Sequence, residues 1–139
     1  MNGDSDLDRL IRAMAPRLDP QAYVFACLPP QSAEPPDLAP LLRFEEDEGL
    51  TLILPRKTAL AAGLDHSFPC RRITLTVHSS LEAVGFIARI AAALAAAGIS
   101  CNPVAGYFHD HVFVPEDRAE DALAALAALS RGEASSDID

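Results

Sequence analysis

Cysteine is scarce in this chain: Cys27, Cys70 and Cys101 stand too far apart for a disulfide framework and form no CxxC pair of the kind that holds structural zinc. This points to a reducing, cytoplasmic setting. Lysine is nearly absent, one residue beside ten arginines, which with the abundant alanine reflects coding composition and carries no function. Long hydrophobic runs are missing too. The longest, Ile90 to Ile99, is half of what spans a bilayer, and the opening Asn2-Gly3-Asp4-Ser5-Asp6 is acidic where a signal peptide needs positive charge. A soluble protein with no membrane partner is expected. Positive charge is short throughout: eleven basic against twenty acidic residues give a net charge of -9. The deficit is even, -5 over residues 1–69 and -4 over residues 70–139, so neither half is built to grip nucleic acid.

What is present is apolar: half of the 139 residues, with 22% charged. That suits one compact domain or two small sub-domains sharing a core, and excludes a disordered tail, a collagen and a multi-domain enzyme.

Ser5 is a candidate N-cap, and Leu7, Leu10, Ile11 and Met14 follow on one helical face that Pro16 ends. Ala22 to Leu28 reads as a strand buried on both faces, followed by a proline-rich loop. Leu41 to Glu46 and Leu50 to Leu54 flank Asp47-Glu48-Gly49, a three-residue hairpin connection closed by a glycine with positive φ. Pro55 begins a short helix to about Ala62 that Gly63 stops, and Asp65-His66-Ser67 is a loop.

In the second half Arg71 to His78 alternates Ile73, Leu75 and Val77 with polar residues, as a half-covered strand does. Ser79-Ser80-Leu81-Glu82 spells a capping box before a helix striped by Phe86, Ile87, Ile90 and Leu94 and ended by Gly98. Ile99 to Tyr107 and His111 to Val114 form two strands about a turn at Phe108-His109-Asp110. Pro115 opens a last helix with Leu123, Leu126 and Leu129 inward. The result is β-α-β-β-α, one strand short of a ferredoxin-like sandwich. The missing strand must come from the first half or from another subunit.

This order, with Gly85 where strand passes into helix and Gly98-Ile99 after it, resembles the ACT domain, a small-ligand regulatory module of amino-acid metabolism. Phe44-Glu45 with Asp47-Glu48-Gly49-Leu50-Thr51-Leu52-Ile53, and Ala105-Gly106-Tyr107-Phe108-His109-Asp110-His111-Val112-Phe113-Val114-Pro115, are similar to a bacterial family of short stand-alone ACT-like proteins of unassigned function. The resemblance spans about residues 7 to 130 and implies an α+β, ferredoxin-like fold. It implies two ACT-like halves: an N-terminal half over 1–68 and a C-terminal ACT domain over 69–131, with a disordered polar tail over 132–139. It also implies an antiparallel sheet with helices on one face.

In function the resemblance implies a non-catalytic protein without cofactor or resident metal, which binds a small molecule, an amino acid, and shifts between populations as a homodimer. The implied ligand-binding residues are Val84, Gly85 and Phe86 at the helix start, Ser100, Cys101, Asn102 and Val104 on the facing strand, and His109 and His111 nearby. Gly85 admits a carboxylate close to the backbone, and Asn102 could hold an amino group. Where the ACT pattern often places an acidic residue and a proline before the glycine, this chain has Glu82-Ala83-Val84.

Other readings stand beside these. Gly85 also suits close helix-to-strand packing, and Asp47-Glu48-Gly49 is a charged turn or a contact for a ligand ammonium. His109 and His111, two apart on extended backbone, project to one side as turn or interface histidines, as ligand contacts, or as two ligands of a metal that needs a third or fourth. Cys101 with a histidine base would be a nucleophile pair. The rival functions are an assembly module with a vestigial pocket and a small metal-dependent enzyme using His109 and His111.

Overall fold

Asp6 opens the first helix, α1 (Leu7–Ala13), its carboxylate accepting from the Arg9 backbone N–H at 3.0 Å. The computed structural model describes residue 3 and residues 6–133, so the Ser5 cap lies outside the described residues. Ala15, at a φ of 30°, turns the chain directly into β1 (Pro16–Leu28). The strand starts earlier than Ala22 because a proline needs no ladder donor at a strand's first position. As expected, both faces are covered at Tyr23 and Val24, with Phe25 half-buried; beyond it burial alternates, Ala26 and Leu28 being buried and Cys27 exposed.

After the proline loop, β2 (Leu42–Glu46) and β3 (Gly49–Pro55) pair antiparallel, with Glu46 opposite Gly49. The connection is therefore two residues, Asp47-Glu48, and not three. Gly49 is required by crowding, since a Cβ there would run into the Leu28 carbonyl oxygen. Pro55 caps α2 (Arg56–Ala62), and Gly63 ends it in the left-handed conformation at φ 66°. The next strand, β4 (His66–Leu75), takes in the segment expected to be a loop, with Phe68 at φ 60° accommodating the turn-like residues before Pro69. It stops three residues short of His78. Thr76 donates its N–H to the Met14 carbonyl at 2.8 Å and its hydroxyl to the Ala15 carbonyl at 2.6 Å, which takes the chain off the ladder.

The helix of the second half, α3 (Phe86–Ala96), begins at Phe86 and not at Ser80, as the Ser80 hydroxyl instead accepts from the Glu82 N–H within a local turn. The strand after it, β5 (Asn102–Ala105), is shorter than expected, so Ser100 and Cys101 precede it. It pairs antiparallel with β6 (Asp110–Pro115) around a turn at Gly106 to His109, closed by the Gly106 N–H donating to the His109 carbonyl. A 3-10 turn over Glu116–Arg118 leads into α4 (Ala119–Ser130), where Ala119, Ala122, Leu126 and Leu129 are buried and Leu123 is half-buried.

The chain forms two compact units. The first takes residues up to Asp19 and from Arg71 onward; the second is Pro20–Cys70. In the first, the strands run β1-β4-β6-β5, and the strand lacking from the second half of the sequence is supplied by Pro16–Asp19. Arg72 pairs with the Asp19 carboxylate at 3.0 Å and Arg71 donates to the Asp19 carbonyl at 2.7 Å, which fixes that join. Its core gathers Leu10, Ile11 and Met14 with Ile73, Leu75, Ile90, Leu94, Val112, Val114 and Leu126. In the second unit the order is β2-β3-β1-β4, with Val24, Ala26, Leu38, Leu52, Leu54 and Ala59 as its core.

The two glycines of the second unit should respond differently to a methyl group. A Cβ at Gly63 meets nothing within 4 Å, so Gly63→Ala should cost about 1–2 kcal/mol for the left-handed backbone alone. Gly49→Ala must also displace the Leu28 backbone and should cost more. Denaturant unfolding of both variants checks the order.

Candidate functional site

Past Thr76 the chain runs through an irregular segment to the start of α3. Ser79 and Asp110 are both buried, and the Ser79 hydroxyl donates to the Asp110 carboxylate at 2.9 Å. Gly85, at φ 95°, is the N-cap of α3 and offers no side chain to cap it. Its carbonyl accepts the Arg89 N–H at 3.0 Å, which leaves the N–H groups of Phe86, Ile87 and Ala88 without intrahelical acceptors. These three residues and Gly85 line a cleft of about 190 Å³ together with Ser79, Ser80, Leu81, Ala83, Ala105 and Asp110. Anion-seeking donors and a buried carboxylate thus share one small space.

Of the residues picked from the sequence, Gly85 and Phe86 line this cleft. Val84, 86% exposed, does not, nor do Ser100, Cys101, Asn102 and Val104. The facing wall is built instead by Ala105, opposite Asp110 in the β5–β6 ladder. Sequence reasoning missed Ser79, Ser80, Ala105 and Asp110. The two serines read locally as part of a capping box, and Asp110 reads as the turn residue between His109 and His111.

Those histidines are anchored separately. His109 Nδ1 donates to the Val77 carbonyl at 3.0 Å, and His111 Nδ1 shares a hydrogen bond with the Thr74 hydroxyl at 3.0 Å. Among the described residues no group of three His, Cys, Asp or Glu side chains could hold a metal ion. Burial pushes the Cys101 thiol pKa up, the opposite of what an activated nucleophile needs.

A second cleft, of about 440 Å³, lies in the other unit beside Pro29, Ser32, Arg43, Glu45, Asp47 and Gly49. Its one cation, Arg43, is held by Glu34 at 2.8 Å and Glu45 at 3.4 Å. What remains there is an exposed acidic rim, with no donors grouped as they are at α3.

Two ACT-domain family models match in tandem, one over residues 2–71 and the other over residues 67–128. The chain belongs to the ACT-domain family. A protein of unknown function from Vibrio cholerae, described as a possible transport protein, is 44% identical, with 91% of this chain and 97% of that chain covered and a TM-score of 0.81. A protein from Agrobacterium tumefaciens shares the fold at 16% identity, with a TM-score of 0.71 over 83% of this chain and 87% of that one. So does the ligand-free regulatory subunit of aspartate kinase from Thermus thermophilus, at 13% identity, with a TM-score of 0.62 and coverage of 82% and 95%. No curated protein matches. Membership gives this ACT chain a regulatory, ligand-binding role, and no helix among its described residues is long and apolar enough to cross a membrane.

In the ACT chain His111 lies next to the cleft's carboxylate in sequence, yet its surroundings oppose its charge. Burial lowers its pKa below the usual 6.5, Arg72, His109 and Arg17 push the same way, and Asp110 opposes them. The unfolded chain then binds the proton more readily than the folded one. His111 therefore contributes stability that is fully present above pH 6.5 and is lost as pH falls through its folded pKa. Stability should decline on acidification from pH 7 to 5, and His111→Asn should flatten that decline; urea midpoints across the range test it.

Proposed function

We propose that this ACT chain is a non-catalytic sensor of a free amino acid, acting in the cytoplasm. The observation that carries the reading is the pairing of opposite preferences within one cleft. The uncapped N–H groups of Phe86, Ile87 and Ala88 favour a carboxylate, and the buried Asp110, held by Ser79, favours an ammonium. A zwitterion offers both. Gly85 brings no capping side chain to the helix start. We divide the chain as an N-terminal ACT-like half over 1–68 and an ACT domain over 69–131, the latter carrying the cleft.

The mechanism is a population shift. A ligand that binds one arrangement of the 76–85 segment and α3 better than another raises its share, by no more than its differential affinity. The output passes to another protein or to a second copy. A homodimer is the proposed assembly. Within its unit β5 has β6 on one side and no strand on the other among the described residues, and an open edge calls for a cover.

A thermal-shift screen of the twenty amino acids tests the reading. A ligand at 100 times its Kd should add roughly 2.7 kcal/mol of stability. Asp110→Asn keeps an acceptor for Ser79 but removes the charge, and should weaken binding about tenfold or more. A screen without any shift, or unchanged affinity in Asp110→Asn, would sink the proposal. Light scattering at micromolar concentration should show twice the 14.8 kDa chain mass; a monomer would remove the dimer and leave the sensor.

A further inference from the structure

The hairpin of the second unit ends its sheet in an open edge. Among the described residues no strand lies beyond β2 in the order β2-β3-β1-β4, and Arg43, Phe44, Glu45 and Glu46 are all exposed. We infer that this edge docks an extended, basic segment of another protein, which adds a strand to β2 and sets apolar side chains against Phe44 and basic ones against the acidic hairpin. The inference stands apart from the amino-acid reading of the α3 cleft.

The register divides β2 into two faces. Leu42, Phe44 and Glu46 stand opposite Ile53, Thr51 and Gly49, while Arg43 and Glu45 stand opposite Leu52 and Leu50 of the unit's core. On that second face Arg43 and Glu45 also line the cleft of about 440 Å³, beside Pro29, Pro30 and Ser32. Phe44 is 63% exposed in the middle of the strand. Charge on an open edge keeps other strands away, but a bare aromatic ring invites them, so a merely solvated edge accounts for the carboxylates and leaves Phe44 without a purpose.

Charge decides what the occupant is. Glu34 and Glu45 hold Arg43 at 2.8 Å and 3.4 Å, and no basic side chain among the described residues pairs with Glu46, Asp47 or Glu48. A second copy would bring one more Arg43, but with it another Glu34, Glu45, Glu46, Asp47 and Glu48. The other open edge, β5, has no charged residue over Asn102–Ala105 and is the one suited to a twin. On a strand paired with β2, the residue opposite Glu45 faces the cleft and should be lysine or arginine. Its neighbour, opposite Phe44, should be apolar.

The probe is a labelled eight-residue peptide of alternating lysine and valine, read by fluorescence anisotropy with the whole protein. It should bind about tenfold or more tightly than an alternating glutamate and valine peptide, than a block of four lysines and four valines, and than its own fully backbone N-methylated form, which keeps the charge and loses every ladder donor. Phe44→Ser should weaken it about fivefold or more, as should Glu45→Gln combined with Asp47→Asn; all three positions are exposed, so the core is untouched. Amide hydrogen exchange in the complex should slow along β2. Equal binding of the N-methylated form would reduce the contact to plain charge attraction and overturn the inference, as would no binding, unchanged affinity in the variants, or exchange slowed only elsewhere. A dimer that Phe44→Ser dissociates and that excludes the peptide would give this edge to a second copy, and would overturn it too. None of these results bears on the α3 cleft, which the amino-acid screen tests separately.

Discussion

Leu10 and Ile11 of the first helix and its C-cap Met14 are buried among residues of α3, β6 and α4. The unit that carries the cleft cannot close its core without them, because the apolar faces of β4 and α3 need a partner that the second half of the chain does not supply. The tie extends beyond packing. Met14 and Ala15 present carbonyls to Thr76, the Arg12 carbonyl accepts from the Ser130 hydroxyl at 3.0 Å, and a Cβ on Gly85 would meet Leu7 at 3.4 Å. The start of the chain thereby fixes where β4 ends, and so where the segment leading to α3 begins.

The cleft inherits its character from that segment. Had the helix begun at Ser80, the carbonyls of residues 82–84 would have accepted from the N–H groups of Phe86, Ile87 and Ala88, which now fall in its first turn. The left-handed Gly85 delays it, since few other residues adopt φ 95° without strain. On the other side the β5–β6 ladder carries Asp110 to the cleft beside Ser79, where burial makes a carboxylate costly unless it has a positive partner.

The regular elements were legible where local chemistry decides them. The β2–β3 hairpin, the Pro55 and Gly63 bounds of α2, and the inward stripes of α3 and α4 follow from alternation, proline and glycine geometry and helical spacing. The readings failed where a distant residue overrides a local preference. Thr76 and Val77 have strand-forming chemistry, yet the Met14 and Ala15 carbonyls end the ladder at Leu75. Ser79-Ser80-Leu81-Glu82 has the letters of a capping box, yet Ser79 is committed to Asp110, thirty-one residues away. The resemblance puts Ser100, Cys101, Asn102 and Val104 on the facing strand, and the α3 cleft is lined on that strand by Ala105.

Taken alone, the sequence determined the composition class, most of the elements and the resemblance to ACT domains, because periodicity, caps and turn residues act over a few neighbours. Only the tertiary structure decided that the start of β1 completes the unit carrying the cleft, that His109 and His111 are held apart by Val77 and Thr74, and that Asp110 lines one cleft with the helix start at Gly85. Those outcomes depend on which buried groups find partners across long stretches of chain. No local pattern encodes such a choice, since it is settled by packing and hydrogen bonding in the folded core.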